Sequence, residues 1–322
     1  MQKKFAIVCS LALAGIGADA VAQAYPDKPV RLVVGFTPGG AADYVGRVVG
    51  ESLARSLGQP IIIENKPGAG SSIATEFVSK SAPDGYTILI ASPSSISVNP
   101  ALDAKRAPSV QSLIPVTKLT ASPLVIAVNP SVGIQSIADL IAAAKKDPGK
   151  LNFSSAGSGS APHLGGVLFN QLAGTDITHI PYKGGAPSAQ SVIAGDTQVT
   201  FATPPSVLPF IKAGRLRGLA VSTTERSPLV PDLPGMKEAG LPNYKLDFWY
   251  GFFVPAGTPS EIVKKLFDAT QLAAQRPEVR AALAREGTDV SLSASPAEFA
   301  AFLKEDNRFW AKLAKDSGAK ID

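Results

Sequence analysis

VVGFTPGGAADYVGR is the sequence of residues 33–47. Its apolar first part is typical of a buried strand, the Pro38-Gly39-Gly40 turn follows, and apolar side chains then recur at helical spacing. A strand, a glycine turn and a helix in this order bring free backbone N–H groups and the positive end of a helix to one point. The segment therefore predicts an α/β fold and a place that can hold a negatively charged group.

Short β-rich runs alternate with helical segments along the rest of the chain. Strands are predicted at residues 30–36, 60–66, 86–92, 124–130, 151–157, 177–185, 197–204, 218–223 and 247–257. Helices are predicted at residues 43–58, 72–82, 136–150, 163–174, 187–196, 259–286 and 296–317. This order favours two α/β halves, each with a mainly parallel sheet flanked by helices, and the last two helices return to the first half.

Residues 1–24 have the three parts of a secretory signal peptide. Two lysines form a positive start, a short apolar run follows, and Ala22-Gln23-Ala24 is a cleavage signal, so we expect cleavage after Ala24. An N-terminal membrane anchor is the disfavoured alternative, because the apolar run is short. The single cysteine, Cys9, lies in this segment, so the mature chain must be stable without disulfides. These features predict an exported, soluble protein of the bacterial periplasm.

The composition argues against nucleic acid, cofactors and metals. The net charge is only +5 over 322 residues, and the basic residues are scattered. The phosphate-binding pattern G-x-x-x-x-G-K-[ST] and the nucleophile pattern G-x-S-x-G are both absent. The two histidines, His163 and His179, do not form an H-E-x-x-H motif, and no cysteine remains to complete a zinc site. The nearby pair Ser160 and His163 leaves a secreted serine hydrolase as an alternative.

Four turns have related chemistry. Three are rich in glycine, at residues 36–43, 154–163 and 182–188, and the fourth, at residues 92–100, is rich in serine. Since the carboxyl ends of strands share one edge of an open sheet, we expect these turns to face one cleft. The turns contain no arginine, so a carboxylate bound there would rest mainly on backbone N–H groups and hydroxyls. This chemistry suits capture and release better than bond breaking.

Aromatic side chains are candidates for the walls of that cleft. They are Phe36, Tyr182, Phe248 and Trp249. Ordinary core packing is the alternative for each of them, and it is stronger for Phe248 than for Phe36.

Six motifs, in this order and spacing, resemble the Bug/TctC family of extracytoplasmic solute receptors for tripartite tricarboxylate transporters. They are YPDKPVRLVVGFTPGGAAD (25–43), IIIENKPGAGSSIA (61–74), PDGYTILIAS (83–92), FSSAGSGSAPHL (153–164), IPYKGGAPS (180–188) and TTERSPLVPDLPGMKEAGLP (223–242). The resemblance covers essentially all of the mature chain.

The resemblance implies a type II periplasmic-binding-protein fold of two domains that close like a flytrap. Domain 1 would comprise residues 25–125 and 247–322, and domain 2 residues 126–246, with crossover strands near 115–128 and 246–254. The receptor would be a monomer that binds without catalysis. It would deliver a small organic carboxylate to one large and one small integral membrane subunit. A receptor that reports to a sensor kinase is the alternative.

The resemblance also assigns a ligand site, without cofactor or metal. The ligand would be a di- or tricarboxylate, an acidic amino acid or an aromatic carboxylate, and Asp43 would bind a ligand amine or water, cap its helix, or do both. The Ser-rich segment SPSSIS (92–97) departs from the family pattern and leaves the ligand's identity open. The expected site residues are Phe36, Pro38, Gly39, Gly40, Ala41, Asp43, Ser92, Ser94, Ser95, Ser155, Ser158, Ser160, His163, Tyr182, Lys183, Gly184, Gly185, Ala186, Pro187, Thr203 and Trp249.

Overall fold

The computed structural model describes residues 25–316, 318 and 319. The signal peptide predicted at residues 1–24 lies outside the described residues. Within the described part of the chain, none of the helices combines the length and the apolar character that a membrane crossing requires.

The described strands form two sheets. In chain order, β1 to β11 are Val30–Val34, Ile61–Asn65, Thr87–Ala91, Leu113–Pro123, Val125–Val128, Asn152–Ser155, Thr178–Pro181, Val199–Ala202, Arg217–Val221, Asp247–Pro255 and Asp289–Val290. The first sheet has the order β11-β4-β10-β3-β1-β2, and the second has the order β7-β6-β8-β5-β9. The chain crosses from the first sheet to the second between β4 and β5, and returns at the start of β10.

Helices cover both sheets. In chain order, α1 to α11 are Ala41–Leu57, Ser72–Ser79, Asn99–Leu102, Ala107–Gln111, Ile137–Lys146, Ala161–Ala173, Gly185–Ala194, Pro204–Lys212, Ser260–Gln275, Pro277–Arg285 and Pro296–Asp316. One turn of π-helix, Ser94–Val98, follows β3. Every predicted helix is present, but the one predicted at residues 259–286 is two helices, because Arg276 is extended before Pro277. Helix α8 was missed because its prolines read as breakers, although proline is favoured in the first turn.

Strand direction differs from the sequence prediction. In the first sheet β1 is parallel to β2 and β3, but β10 is antiparallel to β3 and β4. In the second sheet β6 is parallel to β7 and β8, but β5 is antiparallel to β8 and β9. Both sheets are therefore mixed rather than mainly parallel. The antiparallel pairs arise because β5 and β10 arrive from the other sheet and not through a crossover helix on their own sheet.

A continuous hydrophobic core holds the strands of both sheets in place on either side of the cleft between them. Buried apolar side chains from both sheets belong to one continuous cluster, which includes Val34 of β1, Phe153 of β6 and Phe201 of β8. Each of these strands leads directly towards a helix whose first turn points into the cleft. Because buried strands rarely shift, the first turns are held in fixed positions.

Candidate functional site

The first turns of α1, α6, α7 and α8 converge on one small cavity in the cleft. Its volume is about 20 Å³, enough for about one water molecule. It is lined by Phe36, Gly40, Ala41, Ala42, Ser94, Ala156, Pro162, Gly185, Ser188, Ala202, Thr203, Ser206, Phe248 and Tyr250. None of these described lining residues is Arg, Lys, His, Asp or Glu. The positive character of the site therefore comes from backbone N–H groups and helix dipoles.

The glycine turn before α1 is held by a buried carboxylate. Asp43 accepts hydrogen bonds from the backbone N–H of Gly39 at 3.0 Å, from Arg47 Nε at 2.9 Å and from Asn65 Nδ2 at 3.0 Å. Burial opposes ionisation of Asp43, but these hydrogen bonds outweigh it and lower the pKa of the carboxyl group. Asp43 does not line the small cavity. Its position in the first turn, reaching back to Gly39, is that of a residue that stabilises the start of α1.

The glycine turn before α7 lies directly against the turn before α1. Thr37 donates its N–H to the carbonyl oxygen of Lys183 at 3.3 Å. Gly184 has a φ of 153°, and a Cβ added there would lie 2.4 Å from Thr37 Oγ1. A Cβ at Gly185 would lie 2.3 Å from Ser206 Oγ, and one at Gly40 would lie 3.6 Å from the N atom of Gly185. Gly184 is the position that needs glycine for this approach of two backbones, because its φ and its contact with Thr37 both exclude a Cβ.

A third contact closes the cleft beside the glycine turns. Ser94, the first residue of the π-helical turn, accepts a hydrogen bond at 3.0 Å from the N–H of Ala161, the first residue of α6. Ser94 is 1 % exposed. The elements after β3 and β6 therefore meet at the small cavity, as the sequence pattern predicted for the carboxyl ends of strands.

A second, outer cavity of about 250 Å³ adjoins the small one and shares Phe36 and Ala156 with it. Its lining includes three predicted site residues, Ser158, Tyr182 and Lys183. Lys183 is exposed. This outer cavity has room for the part of a ligand that extends beyond a first carboxylate.

Ser155, Ser160 and His163 support the loop before α6. Ser155 Oγ lies 2.7 Å from His179 Nε2, and the rings of His163 and His179 stack at 3.8 Å. Ser160 Oγ accepts the N–H of His163 at 3.2 Å and so caps α6. Burial, followed by the charge of His163, lowers the pKa of His179 to about 3, so this histidine is neutral. None of the three predicted residues lines the small cavity.

The prediction that Trp249 walls the cleft is wrong. Neighbouring residues of a strand point to opposite faces, so Trp249 lies on the other side of β10 from Phe248 and Tyr250. Its indole Nε1–H donates to Asp306 Oδ2 at 2.9 Å, and its ring packs edge-on against Phe299 at 5.6 Å. Phe248, which the sequence favoured as a core residue, does belong to the core at 3 % exposed, and it also lines the small cavity.

The remaining predicted residues divide into two groups. Six line the small cavity: Phe36, Gly40, Ala41, Ser94, Gly185 and Thr203. The others belong to the turns without lining it: Pro38, Gly39, Gly184, Ala186, Pro187, Ser92 and Ser95. The hydroxyls of Ser92 and Ser95 are buried and have no hydrogen-bond partner among the described residues.

Sequence reasoning missed several lining residues, among them Ser188, Ser206 and Tyr250. Strand alternation from Phe248 would have found Tyr250, since residues i and i+2 share a face. Ser206 lies in the first turn of α8, which was not predicted. Among the described residues, no group of three or more His, Cys, Asp or Glu side chains is placed to hold a metal ion.

A family model described as the tripartite tricarboxylate transporter family receptor, TctC, matches residues 45–319. The chain belongs to this family. The TctC resemblance stated from the motifs is thereby confirmed. BugT of Bordetella pertussis (strain Tohama I) is 35 % identical over 316 residues, which are 97 % of this chain and 96 % of BugT.

Two solved structures are similar to the TctC chain over most of its length. Rpa4515 of R. palustris, solved with adipate, has a TM-score of 0.88 and 32 % identity, and covers 92 % of this chain and 99 % of its own. MatC from Rhodopseudomonas palustris, with bound malate, has a TM-score of 0.85 and 31 % identity, and covers 90 % and 100 %. The predicted two-domain periplasmic-binding-protein fold is confirmed. The protein is a solute-binding receptor.

Proposed function

We propose that this receptor captures a small organic carboxylate between its two domains and delivers it to a tripartite membrane transporter. The observation that carries the proposal is the convergence of four helix N-termini on a cavity without charged side chains among the described residues. Such a site favours an anion through fixed N–H groups and helix dipoles.

The carboxylate would lie between the two glycine turns. The N–H groups of Gly40 and Ala41 would donate to it from one side, and those of Gly185 and Ala186 from the other. These groups belong to helix starts, where N–H groups have no partner within the helix. Ligand contacts to both halves would favour the closed arrangement over an open one.

Domain 1 comprises residues 25–125 and 247–322 in this proposal, and domain 2 comprises residues 126–246. The sheet crossings at Leu124 and at residue 246 lie next to these boundaries. Closure would then be a rotation about the two crossings, which changes few contacts within either sheet.

Dicarboxylates are the first ligands to consider, because relatives were solved with adipate and with malate. The second carboxylate would extend into the outer cavity towards Lys183. Acidic amino acids and aromatic carboxylates are the further candidates, and Ser94, Thr203 and Ser206 would supply hydroxyl contacts. The receptor would act as a periplasmic monomer cleaved after Ala24, binding one large and one small integral membrane subunit. A role in signalling to a sensor kinase is the second candidate.

Titration calorimetry and thermal unfolding test the proposal. Malate, adipate, glutamate and benzoate would each be compared with the corresponding neutral amide. We expect at least one carboxylate to bind and to raise the melting temperature. At a hundredfold excess over its Kd, the ligand should increase the free energy of unfolding by about 2.7 kcal/mol. Its amide should bind at least tenfold more weakly. Shifts produced only by sugars or cations would contradict the proposal, and consumption of the ligand during long incubation would favour the hydrolase instead.

A further inference from the structure

A groove of about 710 Å³ lies beside the start of β10, where both Phe248 and Trp249 line it. We call it the crossover groove, because it lies beside the points where the chain passes between the sheets. It is lined by Lys118 and Ala121 of β4, Leu168 of α6, Asn243, Lys245, Asp247, Phe248 and Trp249 at the start of β10 and just before it, and Phe302, Glu305, Asp306, Phe309, Trp310 and Leu313 of α11. A cavity of this size is in the range that small-molecule sites occupy.

The lining of the crossover groove combines five aromatic residues with five charged ones. Both tryptophans of the chain, Trp249 and Trp310, line it, together with Phe302 and Phe309. Phe309 is 47 % exposed, which is unusual for a large apolar side chain on a receptor whose other phenylalanines are mostly buried. Trp249 and Trp310 are only 2 % and 1 % exposed, so the accessible aromatic surface of the groove is mainly that of Phe302 and Phe309.

Two lysines line the groove: Lys245 is exposed, whereas Lys118 is half-buried and makes no ion pair within 4 Å with any described residue. Lys118 lies in β4, and its Nζ is 4.6 Å from the ring centroid of Phe302. In the part of the chain that the structure describes, no acceptor is within hydrogen-bonding or ion-pairing distance of this Nζ. Burial lowers the pKa of Lys118, and the charges of Asp306 and Asp247 only partly oppose this. A half-buried ammonium without an acceptor favours an anion in the space before it.

The acidic groups nearby are already engaged or exposed. Asp306 accepts from Trp249 Nε1 at 2.9 Å and from Trp310 Nε1 at 3.2 Å. Glu305 pairs with Arg308 at 2.6 Å, and Asp247 is exposed at the start of β10. Asp306 and Glu305 therefore already have donors of their own.

We propose that the crossover groove is a second ligand site, which binds an amphipathic carboxylate with an aromatic body. The carboxylate pairs with Lys118, and the aromatic body lies against Phe302, Phe309 and the edge of Trp249. The site is separate from the cleft, but Phe248 lines both cavities and forms the wall between them. Occupation of the groove therefore acts on a side chain that also contacts the cleft.

The probe for this site is 2-naphthoate, with 2-naphthamide as the neutral control. Because both tryptophans line the groove, binding should quench their fluorescence, and calorimetry would give the affinity. We expect 2-naphthoate to bind and 2-naphthamide to bind at least tenfold more weakly. Lys118→Met should weaken 2-naphthoate at least tenfold, whereas Lys118→Arg should restore most of the affinity and show that the fold tolerates changes there.

Two further variants separate the groove from the cleft. Gly185→Val changes the cleft, so it should leave the affinity for 2-naphthoate within about twofold of the wild type. Lys145 is an exposed lysine of α5 that does not line the groove, so Lys145→Met, which also removes one positive charge, should leave this affinity within about twofold as well. Absence of 2-naphthoate binding up to millimolar concentration, or equal affinity for the amide, would overturn the proposal. Loss of binding in Gly185→Val with retention in Lys118→Met would place the probe in the cleft and overturn it too, while leaving the proposed transport function intact.

Discussion

The small cavity and the crossover groove share the Phe248 side chain, yet their linings differ in chemistry. The cavity of about 20 Å³ is lined by helix starts and has no charged side chain among its described lining residues, whereas the groove of about 710 Å³ is lined by five aromatic and five charged residues, Lys118 among them. Recognition by backbone N–H groups requires that two segments of the backbone approach the ligand closely, so it depends on the absence of bulky side chains at the glycine turns. Recognition by side chains depends on which ones are present.

The largest effect on cleft affinity is expected from Gly185→Val. A Cβ at this position would lie 2.3 Å from Ser206 Oγ and 3.0 Å from Ser206 Cβ, so the first turn of α7 or Ser206 must shift, and both line the small cavity. Loss of two charge-assisted hydrogen bonds at about 1.5–3 kcal/mol each weakens a carboxylate by at least about a hundredfold. Titration calorimetry measures this loss, with a carboxylate that binds the wild-type protein in the screen of malate, adipate, glutamate and benzoate.

The matched control is Gly46→Ala on α1. Its Cβ would lie 3.5 Å from the nearest atom, Val34 Cγ2, which is an ordinary contact, and alanine favours a helix. Circular dichroism would verify that both variants fold. If folded Gly185→Val binds as tightly as Gly46→Ala, the cleft does not hold its ligand by the backbone of the second glycine turn.

A smaller effect, about tenfold, is expected from Asp43→Ala. Its carboxylate holds the N–H of Gly39 and the side chain of Asn65, so its loss loosens the first glycine turn without removing a ligand contact. Asp139 is a matched control, since its carboxylate accepts the N–H of Gln135 at 3.0 Å at the start of α5, away from the cleft. Asp139→Ala removes a comparable first-turn carboxylate at an exposed position and should leave the affinity unchanged. Equal affinities of the two variants would mean that Asp43 does not position the turn.

Lys183→Ala should weaken binding by less than about fivefold. Lys183 is exposed at the outer cavity, and exposed ion pairs contribute about 0–1 kcal/mol. The loss should shrink further as salt is added, because screening weakens exposed charges. Calorimetry at two ionic strengths is the measurement. Abolished binding in Lys183→Ala, with Gly185→Val unaffected, would make the cleft a salt-bridge site and reverse the comparison.

The sequence predicted the cleft better than the groove for a physical reason. Pro38-Gly39-Gly40 and Lys183-Gly184-Gly185 follow strands directly. A glycine turn between a strand and a helix is a local sequence pattern, so it can be recognised without knowledge of the fold. The faces of β10 were not readable, because all nine residues from Asp247 to Pro255 are apolar or aromatic except the first. Without alternation, Trp249 was assigned to the cleft together with Phe248, although the two lie on opposite faces of β10.

The direction in which distant strands pair could not be predicted from the sequence either. Whether β5 and β10 run parallel or antiparallel to their neighbours depends on which sheet the chain has just left, and local propensity carries no such information. The π-helical turn at Ser94–Val98 read only as a Ser-rich loop. The domain boundaries stay a prediction.

The smallest effect on cleft affinity, less than about twofold, is expected from Asp306→Asn, which instead changes how stability depends on pH. Burial raises the pKa of Asp306 to about 6, against the opposing hydrogen bonds from Trp249, Trp310 and Ser97 and the charge of Lys118. Between about pH 4 and pH 6 the folded protein therefore binds more protons than the unfolded chain. In that window this group makes stability fall as the pH rises.

Asparagine does not titrate, so Asp306→Asn lacks this fall. The free energy of unfolding of the variant minus that of the wild type should therefore increase from pH 4 to pH 6 and then level off. His179, with its pKa lowered to about 3, acts in the opposite direction but equally in both proteins, so its contribution cancels in the difference. Urea unfolding at four pH values from 4 to 7 gives this difference, and two parallel curves would mean that Asp306 ionises in the groove as readily as in water.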